Sequence, residues 1–130
     1  MVSPLATILI ADDNAEWRAR VRELLRQRPE WQIIDEASDG VEALERTRDL
    51  CPELVLLDIG MPRMNGLQAA VEIRQAVPTT RILFLTQDND PDLKTAALNV
   101  GAEGYVLKTK AASELFSAIS TAIRNGNELS

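Results

Sequence analysis

Four short stretches carry residues whose types suit a shared chemistry: Asp12-Asp13, Asp58, Thr86 and Lys108. Three carboxylates gathered at one place repel, so such a site either raises a pKa or takes up a cation. Oxygen ligands without cysteine or histidine favour a hard ion, magnesium rather than zinc. Magnesium takes one or two carboxylates, keeps several waters and completes its shell with phosphate oxygens. With Asp12 and Asp13 on the metal, Asp58 is a candidate carboxylate nucleophile toward phosphorus. The Lys108 ammonium and the Thr86 hydroxyl would then meet the oxygens of the transferred group. Lysine suits that task as a point charge on a flexible stem. In the loop Ile59-Gly60-Met61-Pro62-Arg63-Met64-Asn65-Gly66, Gly60 and Gly66 would permit close backbone approach and Pro62 would stiffen the turn.

Composition narrows the chemistry further. The chain has no histidine, which excludes Ser-His-Asp and Cys-His catalysis and histidine-ligated zinc. Any phosphohistidine donor must therefore be another molecule. A net charge of −6 argues against electrostatic grip on nucleic acid. Cys51 is the only cysteine, so an intramolecular disulfide is impossible and a reducing compartment, the cytoplasm, is expected. No apolar run is long enough to span a bilayer, and Met1-Val2-Ser3-Pro4 does not read as a secretory signal. At 130 residues, 45% hydrophobic and 26% charged, residues 1–130 read as one domain with a core over about 5–126. No linker or repeat is visible.

The elements that must position these residues follow from alternating patterns. Short Val/Ile/Leu-rich runs at Thr7–Ala11, Trp31–Ala37, Leu54–Leu57, Arg81–Leu85 and Gly104–Leu107 read as strands. Several are almost continuously apolar, as befits a parallel sheet covered on both faces. Helical spacing fills the intervals. One helix spans about Asn14–Arg28, before Pro29; a second starts at Asp39 with Glu42 as a capping box. A third covers about Gly66–Ala76, a fourth starts at Asp90-Pro91, and a last covers about Ala112–Arg124 with Gly126 as its stop. Five consecutive βα units give an α/β fold, a doubly wound parallel sheet with ligands at the carboxyl ends of its strands. Asp12-Asp13, Asp58, Thr86 and Lys108 all fall just at those ends.

These residues, in Ile8-Leu9-Ile10-Ala11-Asp12-Asp13, Leu57-Asp58-Ile59-Gly60-Met61-Pro62, Leu85-Thr86 and Gly101–Lys108, resemble response-regulator receiver domains. Gly101–Lys108 and Ser113-Glu114-Leu115 look most similar to the NarL/FixJ type. The resemblance implies a flavodoxin-like (βα)5 fold with strand order 2-1-3-4-5. It implies that Asp58 accepts a phosphoryl group from a partner histidine kinase, and that Asp12, Asp13, Asp58 and the Gly60 backbone carbonyl hold Mg2+. Thr86 would be the switch hydroxyl, Tyr105 the switch aromatic and Lys108 the phosphate partner. The face of the fourth helix, fifth strand and fifth helix would then serve a homodimer, an output domain or an effector. NarL/FixJ-type regulators usually continue into a helix-turn-helix domain, which is not in this chain. Two positions depart from the common pattern. Gln87 stands where many receivers have a small residue and is expected to narrow access to the site. Thr109 stands where many have proline after the lysine, which leaves the isomer of that bond open.

Other readings compete. A haloacid-dehalogenase-like phosphatase would usually carry an acid at position 60, which is Gly60, and a cap domain for which there is no length. No phosphate-binding Gly-x-x-x-x-Gly-Lys loop is present. A flavodoxin-like electron carrier needs a Ser/Thr-rich loop where Asp12-Asp13-Asn14 stands. A true enzyme is thus disfavoured, and the remaining alternative is a degenerate receiver that binds partners without phosphorylation. Singly, Asp12-Asp13 reads as a cap pair and Lys108 as a solvated charge. Asp39 is expected to cap a helix, Cys51 to be a half-buried packing residue, and Trp17 and Trp31 to serve packing or a partner surface.

Overall fold

Each apolar run becomes a strand whose successive residues feed opposite faces of one sheet. The computed structural model describes residues 6–128, with side chains described to residue 124; Leu5 and the Met1–Pro4 stretch lie outside the described residues. The strands are β1 (Ala6–Ala11), β2 (Trp31–Ala37), β3 (Leu54–Leu57), β4 (Arg81–Thr86) and β5 (Gly104–Leu107). The helices are α1 (Ala15–Leu25), α2 (Gly40–Leu50), α3 (Gly66–Ala76), α4 (Pro91–Asn99) and α5 (Ala111–Glu128). All strand pairs are parallel, in the order β2-β1-β3-β4-β5.

The continuous apolarity of the central strands has a direct cause. Ile8, Ile10, Leu54, Leu56, Leu83 and Leu85 face a core closed by α1 and α5. Their neighbours Leu9, Val55, Leu57, Ile82 and Phe84 face a second core closed by α2, α3 and α4. Burying such a side chain stabilises the fold by roughly 1.5–3 kcal/mol, so both faces hold register. The helices are unequally anchored. α2 and α3 each bury four residues, whereas α4 fully buries only Ala97.

Helix ends depart from the sequence reading in three places. α1 ends at Leu25 rather than Arg28, because Pro29 disfavours helical geometry at Arg28 and the chain tightens into i→i+3 bonds from Gln27 and Arg28. α5 passes through Gly126 to Glu128. A lone glycine costs about 1 kcal/mol against alanine, too little to stop a helix anchored by Leu115, Ile119 and Ala122. At α2 the Asp39 carboxylate does accept the Glu42 N–H at 2.8 Å, but Glu42 reaches back to Ser38, not to Asp39. The reciprocal box forms instead at α3, between Asn65 and Gln68. Cys51, expected half-buried, is exposed as the left-handed cap of α2 with φ 46°. No peptide bond among the described residues is cis, so Lys108-Thr109 is trans.

Candidate functional site

The sheet carries its acids to one end by extending two ladders one residue past the strands. The Asp12 N–H donates to Ala37 O and the Asp58 N–H donates to Ala11 O, both at 3.0 Å. The two backbones are therefore held as rigidly as the strands they leave. Each carboxylate then spends one oxygen locally: Asp12 Oδ1 accepts the Asn14 N–H and Asp58 Oδ1 accepts the Ile59 N–H, both at 2.8 Å. The remaining oxygens converge on one cation. Lys108 Nζ lies 2.6 Å from Asp12 Oδ2 and 3.3 Å from Asp58 Oδ2.

Asp12 and Asp58 are buried, whereas Asp13 is exposed at the rim. Burial raises the Asp12 carboxyl above its ordinary value, while Lys108 and the Asn14 N–H pull it back. Carboxylate oxygens of Asp12, Asp13 and Asp58 lie within 4.8 Å of one another. Three hard donors so close fit a magnesium ion, which needs few protein ligands and tolerates water in the rest of its shell. The cap reading of the acid pair does not hold: the residue that caps α1 is Asn14, whose side chain accepts the Trp17 N–H at 3.0 Å.

Thr86 closes β4 and is buried, its register partner in β5 being Leu107, next to Lys108. Its hydroxyl accepts the Asp88 N–H at 3.3 Å. Tyr105 is half-buried against Phe84, ring centroids 6.3 Å apart, and its hydroxyl donates to the Asp88 carbonyl at 2.6 Å. Thr86 and Tyr105 thus hold the same turn, one through its N–H and one through its C=O. Gln87 is exposed at the start of that turn.

The loop after Asp58 uses its glycines differently from expectation. A Cβ on Gly66 would lie 2.0 Å from the Asp58 carbonyl oxygen, so only glycine lets α3 start against the acid's backbone. Gly60 has open space at its Cβ position and is exposed, so nothing in its surroundings demands glycine. The left-handed position is taken by Arg63, φ 65°, whose guanidinium pairs with Asp39 at 2.9 Å. That ion pair ties the loop to the start of α2, a link the cap reading of Asp39 did not include.

Trp17 also belongs here, although the sequence reading left it to packing or a partner surface. The Lys108 ammonium lies 5.2 Å from its ring centroid and the Arg20 guanidinium 5.6 Å. The available signal was its place in the first turn of a helix that starts directly after the acid pair. Trp31, by contrast, is a core residue set edge-on against Phe116.

The response regulator receiver domain family matches residues 8–120. The chain belongs to this family. The receiver is 36% identical over 114 residues to the nitrate/nitrite response regulator protein NarL of Escherichia coli K12, covering 88% of this chain and 53% of that protein. Among solved structures it matches a LuxR-family two-component response regulator from Aurantimonas, with TM-score 0.88 and 32% identity, over 92% of this chain and 86% of that one. The signal receiver domain of a NarL from Mycobacterium tuberculosis matches with TM-score 0.88 and 29% identity, over 95% and 98%. The receiver spans about half the length of the curated relatives it matches. Receiver domains are signalling modules of two-component systems and generally not enzymes on external substrates. No helix among the described residues is long and apolar enough to cross a membrane.

Proposed function

We propose that this receiver is a phosphoacceptor switch in which Asp58 takes a phosphoryl group from a partner histidine kinase. The observation that carries the reading is the convergence of Lys108 on both Asp12 and Asp58 at the mouth of the sheet. Asp12, Asp13 and Asp58 would hold Mg2+, with the Gly60 carbonyl as a further ligand. When bound, the ion supplies positive charge against the phosphoryl oxygens. An Asp58 oxygen attacks phosphorus while the bond to the donor nitrogen breaks, and the electron pair leaves with the imidazole. Lys108 neutralises one of the phosphoryl oxygens, and Thr86 turns its hydroxyl from the Asp88 N–H toward another.

That turn releases one of the two bonds on the residue 86–88 segment, and Tyr105 follows into the space Thr86 vacates. The α4–β5–α5 face then changes, biasing a two-state equilibrium toward a partner-binding form. The partner is a second copy, an output domain or an effector, and similarity to the transcriptional regulatory proteins DegU of Brevibacillus brevis and LnrK of Bacillus subtilis favours control of transcription. The residues act once per phosphoryl group, as a single cytoplasmic switch unit rather than a turnover enzyme. Gln87, exposed at the start of the turn after Thr86, would narrow access to Asp58 and slow entry and loss of the group.

The test is labelling with acetyl phosphate in magnesium buffer, with mass mapping of the modified residue. One phosphoryl per chain on Asp58 is expected, and none in Asp58→Asn. Equal labelling of that variant would refute the acceptor assignment.

A further inference from the structure

The indole of Trp17 projects from the first turn of α1 to the ammonium that spans the two buried acids. Its ring meets two cations, Lys108 and Arg20, and is half-buried against the α1–α5 core. Its Nε1–H is buried without a hydrogen-bond partner, so the edge of the ring is not what holds it. What the site gains from Trp17 is the π face.

We infer that Trp17 is a positioning residue for Lys108, confining the ammonium beside Asp58 so that it meets the incoming phosphoryl group. The inference rests on the phosphoacceptor reading above. A lysine stem has several rotatable bonds, and an unconfined ammonium drifts to water, where it is well hydrated. Two anchors limit that drift: the carboxylates, whose negative charge draws it inward, and the indole face, which attracts cations and bars water from one side. The anchors act at different stages. A cation on the acids dilutes the pull of the carboxylates, and a group on Asp58 moves the negative charge outward. The ring is uncharged and its attraction survives both changes. Trp17 is therefore the anchor whose hold on the lysine does not vary with the charge on the acids. Arg20, on the same ring, adds a second positive charge beside the crevice. It has no carboxylate partner among the described ion pairs.

The experiment is a double-mutant cycle on the labelling rate at Asp58, with acetyl phosphate as the donor and magnesium present. Trp17→Leu should slow labelling about fivefold, the worth of one partly desolvated cation–π contact. Trp17→Phe, which keeps a weaker π face, should recover part of that loss. In a Lys108→Ala background, Trp17→Leu should have no further effect, because the residue it acts through is gone. Thermal melts of all five proteins check folding, and Trp17→Phe preserves the test if the leucine variant melts early. A role in packing alone would give the same fold-loss with and without the lysine, and that additivity would overturn the inference while leaving the acceptor assignment standing. A wild-type chain that takes no label at all would instead sink the acceptor assignment, and this inference with it.

Discussion

Replacing Gly66 by alanine tests whether the loop geometry places Asp58. The added Cβ would sit 2.0 Å from the Asp58 carbonyl oxygen and 2.8 Å from the Asp58 carbonyl carbon and the Ile59 Cα. Ordinary contact is about 3.5 Å, so backbone must retreat by roughly 1.5 Å. Gly66 is also the first residue of α3, where alanine's helix preference returns at most about 1 kcal/mol. Overpacking costs roughly 1–3 kcal/mol and lies at the upper end when backbone, not a side chain, must yield. The net loss is about 2 kcal/mol. At roughly 3–5 °C per kcal/mol for a chain of this size, the melting temperature should fall by about 6–10 °C. Because the displaced atoms are those of Asp58 itself, labelling should slow by an order of magnitude or more. Gly60→Ala is the control: its Cβ meets nothing within 4 Å, and stability should change by less than about 0.5 kcal/mol. Urea titration and acetyl phosphate labelling read both quantities. A Gly66→Ala protein with wild-type stability and rate would refute the claim that the α3 start fixes the acid.

Further outcomes follow from other contacts. Lys108→Ala removes the ammonium from two buried carboxylates, so magnesium affinity measured by calorimetry should rise about tenfold or more while the metal-free protein loses stability; an unchanged affinity would mean that lysine and metal do not compete. Burial tends to raise the Asp39 carboxyl, but the Glu42 N–H and the Arg63 guanidinium hold it below the ordinary carboxylate value. Its stabilising contribution is thus present above the unfolded-state pKa and lost as pH falls through the lower folded one. Asp39→Asn should flatten the acid limb of a stability–pH profile, and parallel profiles for the two proteins would contradict the ion-pair account. Tyr105→Phe deletes the bond to the Asp88 carbonyl and should lower the urea-derived stability by about 1 kcal/mol. No loss would show that the hydroxyl does not hold the ring in place.

The strands were legible because their demands are one-dimensional. A segment such as Leu54–Leu57, apolar at every position and too short for a buried helix, reads as a strand covered on both faces, and three of the five strand ranges match residue for residue: Trp31–Ala37, Leu54–Leu57 and Gly104–Leu107. The acids were legible for a related reason, since the end of a strand is a place that sequence can name. Contacts between distant loops were not. Nothing in the sequence around Arg63 announces its left-handed backbone or its pairing with Asp39, 24 residues away. Trp17 meets Lys108 only because α1 and β5 flank the same crevice, a relation set by tertiary packing. Gly60 and Gly66 look alike in the sequence, and only the approach of the Asp58 carbonyl separates them. Gly126 misled because a rule about helix ends was applied where packing upstream outweighs a local preference.

The single alanine by which α4 is fully seated has a consequence for motion. A methyl group contributes on the order of 0.8 kcal/mol of burial, comparable to thermal energy, and Leu93 adds only a partly buried side chain, while α2 buries Leu44 and α3 buries Ile73, each beside three smaller residues. The sheet therefore has one loosely nailed board among firm ones. Displacing it leaves the α1–α5 interior undisturbed, and amide exchange should find Pro91–Asn99 opening before any other helix. A signal that begins as a shift of one hydroxyl can be relayed outward at small cost, because the fold has left its softest joint beside the turn that Thr86 and Tyr105 share.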